Sequence, residues 1–120
     1  MLFHLKIKNT IKKSFSEIIT NDPLQGNKIY SYKIIKENNI SYDNTYLAED
    51  LGFFIKNIVH SKKIVTISDI ILNYRILNTS LSRTNSVKIF DVFRSLDNIE
   101  KYIIDNHFDF INKKIKWIDC

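Results

Sequence analysis

Glu49-Asp50-Leu51-Gly52-Phe53-Phe54-Ile55-Lys56-Asn57-Ile58-Val59-His60-Ser61-Lys62-Lys63-Ile64-Val65-Thr66-Ile67 is the stretch on which the fold turns. Within it Leu51, Phe54, Ile55, Ile58 and Val59 recur at i, i+3, i+4, i+7 and i+8. That spacing lays one apolar stripe along a helix and predicts one over Asp50 to His60. Lys63 to Ile67 is β-branched and suits a strand. The helix opens on two carboxylates, Glu49 and Asp50, after a polar run from Asn38 to Thr45. Acids at such a junction either cap free N–H groups or do chemistry. The helix dipole favours them there by about 0.3–1 kcal/mol in either case. On spacing alone, a purely structural Asp50 cap and a functional Asp50 both stand.

Working outward, Phe3, Ile7, Ile11, Phe15 and Ile18 recur at spacings of four and three, with Lys6, Lys8, Lys12 and Lys13 off that line. This predicts an amphipathic helix up to about Thr20, either packed on a core or lying on a membrane surface. Asn21-Asp22-Pro23 stops it. Tyr32 to Glu37, with Ile34 and Ile35 inward, suits a short helix ending at Asn38-Asn39. Ile70 to Arg75 is a second strand candidate, and Asn78 to Asn85 reads as a loop. Ile89, Val92, Phe93, Leu96, Ile99 and Ile103 give a long helix with Ser86 as its N-cap. Phe108 to Trp117 reads as one more short helix. With about two strands and several helices, and a two-stranded sheet rarely stable alone, the chain reads as α/β. It is either part of a larger α/β unit or a mostly helical domain with one small sheet.

The 120 residues suffice for one domain with a modest core. A hydrophobic share of 44% against 26% charged is a globular balance rather than a disordered one. No run of 18 apolar residues occurs, so no transmembrane segment is expected. Lys6 and Lys8 interrupt the apolar start, which argues against a signal peptide. The expected location is the cytoplasm, or its membrane periphery. The net charge of +5 is spread over lysine pairs such as Lys12-Lys13, Lys62-Lys63 and Lys113-Lys114, with no block of five like charges. That fits solvated surfaces better than nucleic acid, and no nucleic-acid partner is expected. Cys120 is the single cysteine, and His4, His60 and His107 match no zinc spacing, so no metal ligands are assigned. Gly26 and Gly52 are isolated, which excludes a phosphate-cradling glycine loop.

Five short pieces in order carry a resemblance. They are Asn27-Lys28-Ile29-Tyr30; Glu49-Asp50-Leu51 with Phe53-Phe54 and Lys56; Lys63-Ile64-Val65; Tyr74-Arg75; and Ser80-Leu81-Ser82-Arg83. Over residues 24–85 the chain resembles the C-terminal half of a family 2 glycosyltransferase of the GT-A fold. The resemblance implies a partial GT-A-like unit, with residues 24–85 as the acceptor and catalytic-base region and 86–120 as C-terminal helices. It implies inverting transfer of a sugar from a nucleotide-sugar donor to a hydroxyl of a glycan acceptor, as in cell-surface polysaccharide synthesis. Asp50 maps onto the general base, and Glu49 onto a residue shaping the acceptor site. Arg75, Ser80, Ser82 and Arg83 fall where the family closes over the donor diphosphate, and Lys28 falls on the acceptor side. A carboxylate suits the base role because it accepts the proton late, when the attacking oxygen has become acidic.

The chain departs from the pattern twice. The family holds a divalent metal, Mg or Mn, with an Asp-x-Asp triplet in a donor-binding half that precedes the acidic pair. Here no Asp-x-Asp occurs, and 48 residues precede Glu49. Many relatives also carry a histidine two positions after the Tyr-Arg pair, where this chain has Leu77. The expectation is a truncated enzyme whose missing N-terminal half would bring the donor and its metal. The competing expectation is a non-catalytic interaction module that binds an anionic or protein partner.

Overall fold

A computed structural model describes residues 9–21, 23–73, 75–79, 87–108 and 114–119. The helix expected from Asp50 forms as α3, Glu49–His60. Every residue from Gly52 to Val59 in it is buried, so it is the central element rather than a surface helix. The strand after it is β2, Lys63–Thr66. Tyr32–Glu37 forms α2, with Ile34 and Ile35 half-buried and Lys33 and Lys36 exposed, as the pattern predicts.

Three expectations are corrected. The first is the N-terminal helix up to Thr20. Asn9–Ser14 is instead a strand, β1, and only Phe15–Ile19 is helical, as α1. A spacing of four is also two strand periods, so Ile11 and Phe15 fit either element. The division falls at Ser14, whose backbone N–H and hydroxyl both donate to the Glu17 carboxylate (2.6 and 2.8 Å) and start the helix there. The second is the C-terminal helix. Lys114–Asp119 is β3, and its Lys114-Ile115-Lys116-Trp117 alternation has a period of two, with the lysines exposed. The third is the strand from Ile70 to Arg75. Residues 70–73 form no strand and pair with none of the described ones; Tyr74 lies outside the described residues.

The sheet thus has three strands where about two were expected, in the order β1-β3-β2. β1 pairs antiparallel with β3, Ile11 opposite Trp117, and β2 pairs parallel with β3, Ile64 opposite Trp117. Its central strand comes from the far end of the chain. The architecture is α/β, with a small mixed sheet packed beside α3.

The last helix, α4, is Asp91–Asp105, preceded by a 3₁₀ turn at Val87–Phe90. The proposed cap Ser86 lies outside the described residues. The helix is rotated from the expected apolar face: Ser95 and Ile99 are buried, whereas Phe93 and Leu96 are exposed. The core joins Phe15 and Ile18 of α1, Phe54, Ile55, Ile58 and Val59 of α3, Ile99 of α4 and Ile115 of β3. Among the described residues no helix is long and apolar enough to cross a membrane.

Candidate functional site

The site assembles around the first turn of α3. Its N-cap is Ala48, in the left-handed region at φ 61°, so Glu49 and Asp50 are the first two residues of the helix. Asp50 is therefore not the N-cap that the sequence suggests. Its Oδ1 accepts from the Leu51 backbone N–H at 2.8 Å, which uses one of the four free donors of that turn. Both acids are half-buried.

Two segments hold this turn from opposite sides. Residues 23–30 approach through Gln25, whose Nε2 donates to the carbonyls of Pro23 (2.7 Å) and Asp50 (3.1 Å). Tyr30 meets Phe53 edge-on, ring centroids 5.2 Å apart, and Tyr42 stacks on the same ring at 4.1 Å. The Tyr30 hydroxyl and Gln25 Oε1 are buried with no hydrogen-bond partner. The Gln25 amide lies beside that hydroxyl but off bonding geometry. Burial is the main cause that pushes the Tyr30 phenol up to about 12; the Gln25 amide opposes it, and the charges of Tyr42 and Asp50 add to it. Lys28 lies one turn along: its Nζ sits 5.3 Å from the Phe54 ring centroid and donates to Leu24 O and Asn27 Oδ1.

The other side is the polar run 38–48. Lys56 Nζ reaches Asp43 Oδ1 at 2.6 Å and Ser41 O at 3.2 Å. The two side chains of that ion pair are 9% and 16% exposed, so it is largely out of water. Gly52 is needed beneath it, because a Cβ there would stand 2.7 Å from Asp43 Oδ2. α4 grips the same loop. The Ser95 hydroxyl, fully buried, bonds Leu47 O at 2.7 Å and Thr45 Oγ1 at 3.0 Å. The Asp91 carboxylate accepts from the Tyr46 N–H, and the Arg94 guanidinium donates to Asn44 O. These polar clamps explain the rotation of α4: Ser95 turns inward because its hydroxyl meets both the Leu47 carbonyl and the Thr45 hydroxyl there. Nothing at short range in the sequence announces the Asp43–Lys56 pair, thirteen residues apart. Gln25 carries no sequence signal either.

A cavity of about 830 Å³ runs along the side of α3 that bears Phe54, Asn57, Ile58 and Ser61. Its other walls come from residues 24–34, from β2 and from residues 67–72, with Trp117 among its lining. Asp50 stands four residues before Phe54 on the same helix face, at the head of this row. Lys28 and Tyr30 line the cavity.

The structure thus ties Gln25 to the Asp50 carbonyl and seats Tyr30 and Lys28 on Phe53 and Phe54 of the helix that the acidic pair opens. Arg75 is exposed, in a segment without regular structure, and makes no ion pair or hydrogen bond among the described residues. Ser80, Ser82 and Arg83 lie outside the described residues. Among the described residues no three His, Cys, Asp or Glu side chains gather as a metal site requires. Comparison with protein-family models, with curated proteins and with solved structures gave no match.

Proposed function

We propose that the chain carries the acceptor-binding and catalytic-base portion of a family 2 glycosyltransferase with a GT-A-like arrangement. One observation carries the reading: Asp50 heads the helix face that lines a cavity of about 830 Å³, with Lys28 and Tyr30 beside that row. Here Asp50 accepts the proton of an acceptor hydroxyl as its oxygen attacks the anomeric carbon of the nucleotide-sugar. The nucleoside diphosphate leaves from the opposite face and the configuration inverts. On this reading Glu49 shapes the acceptor side, and the resemblance assigns Arg75, Ser80, Ser82 and Arg83 to the donor diphosphate, where positive charge steadies the leaving group. The residues described here do not form the metal site that the family keeps with its donor, and no step of this chain passes through one. On this reading the donor-binding half lies outside these 120 residues.

The test is complementation. The chain is mixed with a separately expressed donor-binding half of a family 2 enzyme, and transfer from a nucleotide-sugar is measured. Transfer should appear only in the mixture, and Asp50→Asn should lower it by about 10²–10⁴. An Asp50→Asn variant with full transfer removes the base assignment.

A second reading has its own observation. Ile67, Ile70, Ile71, Ile76 and Leu77 are all exposed, which favours a protein partner over an anionic one. Under that reading the chain is an interaction module, Asp50→Asn is silent, and binding is insensitive to salt.

A further inference from the structure

We infer that the cavity beside α3 binds the aglycone of an amphipathic acceptor, an alkyl-type chain carrying a hydroxylated head, with the head directed towards Asp50. This rests on the base assignment above and adds the class of substrate. The volume of about 830 Å³ lies within the range of roughly 300–1,000 Å³ usual for small-molecule sites. Phe54, Ile58, Ile70 and Trp117 are among its apolar lining, and polar residues such as Asn27 and Thr66 stand beside them. A free sugar, polar all round, would lose hydration against the apolar part of this lining, whereas a ligand with one polar and one apolar end matches its mixed character. An alkyl chain loses nothing by entering.

Within α3 the lining residues are Phe54, Asn57 and Ile58, so Asn57 is the polar group that this helix contributes. Asn57 is 2% exposed and lines the cavity. Its Nδ2 donates to Phe53 O at 2.9 Å, while no donor meets its Oδ1 among the described residues. That oxygen can accept from a ligand hydroxyl or amide N–H. Asn57 lies two turns along α3 from Asp50. An acceptor aligned with the helix therefore places its apolar part beyond Asn57, towards Ser61 and β2, and its head between Asn57 and Asp50.

Trp117 is the single tryptophan of the chain and part of the cavity lining, so its fluorescence reports occupancy. The full chain is titrated with octyl β-glucoside below its micelle concentration, and separately with glucose and with octanol. Octyl glucoside should give a saturable change about tenfold or more tighter than glucose, because each CH₂ taken out of water adds affinity. It should also bind more tightly than octanol, whose head lacks the further hydroxyls. Ile67→Asp and Ile70→Asp, both at exposed positions and so compatible with folding, should weaken it by about fivefold or more through the charge placed against the chain. Circular dichroism confirms that both variants fold. The inference is overturned if Trp117 shows no saturable response, if glucose alone does as well, or if both variants bind like the parent. Any of these leaves Asp50 as base intact. Conversely, octyl glucoside binding combined with full transfer by Asp50→Asn would keep the cavity and remove the base.

Discussion

Helix α3 and the segment 67–73 are both rich in large apolar residues, and they end in opposite surroundings. In α3, residues 52–59 are all buried, including Lys56 and Asn57. In the segment after β2, Ile70 is 88% exposed, and Ile71 and Leu72 are exposed as well. Apolar content does not separate the two; available partners do. α3 has α1, α4 and the sheet around it, and its polar groups are tied to carbonyls and to one carboxylate. Residues 67–73 have a cavity on one side and water on the other.

If the burial of α3 depends on its polar clamps, breaking the strongest one should have the largest effect. Lys56→Ala leaves Asp43 without its partner in a largely dry position. It should cost about 3–5 kcal/mol in urea unfolding, the usual range for one half of a buried pair. Replacing both partners, as Lys56→Met with Asp43→Leu, should recover much of that loss. A Lys56→Ala cost below about 1 kcal/mol would mean that the pair is effectively solvated.

The next two effects are smaller and test the same loop. Ser95→Ala strands Leu47 O and Thr45 Oγ1 and should cost about 1–3 kcal/mol. Gly52→Ala puts a methyl 2.7 Å from Asp43 Oδ2, which is a side-chain end but one fixed by Lys56. A cost of about 1–3 kcal/mol is expected. In a Lys56→Met background, where Asp43 is free to move, the Gly52→Ala cost should shrink, and thermal melts of the double mutant read that coupling directly.

Tyr30 sits between the two regions and gives a smaller effect with a distinctive pH dependence. Its phenol is raised in the fold from 10.0 to about 12, so the neutral form is the one the fold favours. The stabilisation is fully present below pH 10 and is lost as pH rises towards 12. Tyr30→Phe should remove that part of the alkaline fall in stability. At neutral pH the change should be slight or favourable, because it deletes a buried hydroxyl that has no partner. An unchanged alkaline limb in Tyr30→Phe would show that the phenol is solvated.

How much of this was legible beforehand follows from the range of the determining contacts. α3, α2 and β2 were readable because their periodicity is local and unambiguous. β1 was misread because a spacing of four serves helix and strand alike. β3 was misread because a strand is decided by its partners, and those lie about fifty and about a hundred residues upstream. For Ile70 to Asn73 the β-branched composition was real, but no described strand pairs with it. At the site, the sequence points to Asp50 and Lys28; Asp50 opens α3 and Lys28 sits over Phe54 of the same helix. Tyr30 and Lys56 stand in the resembling pieces without a role, and Gln25 and Asp43 carry no signal, because what these four do arises only once residues 23–48 fold against α3.

The smallest expected effect on stability bears on the comparison most directly. Ile70→Ser exchanges an aliphatic side chain for a polar one where the folded chain already leaves it in water. If residues 67–73 contribute nothing to the core, the monomer's unfolding free energy should move by no more than about 0.5 kcal/mol. The change should appear instead in association. Exposed aliphatics in a run invite a second molecule, so sedimentation of the parent should show concentration-dependent oligomers, and Ile70→Ser combined with Ile71→Ser should reduce them. A loss of about 2 kcal/mol in the monomer would place Ile70 in the core and erase the contrast with α3. A parent that stays monomeric at high concentration would show that the segment does not associate on its own. The difference between the two regions would then be one of composition without consequence, and the protein-partner reading would lose its one supporting observation.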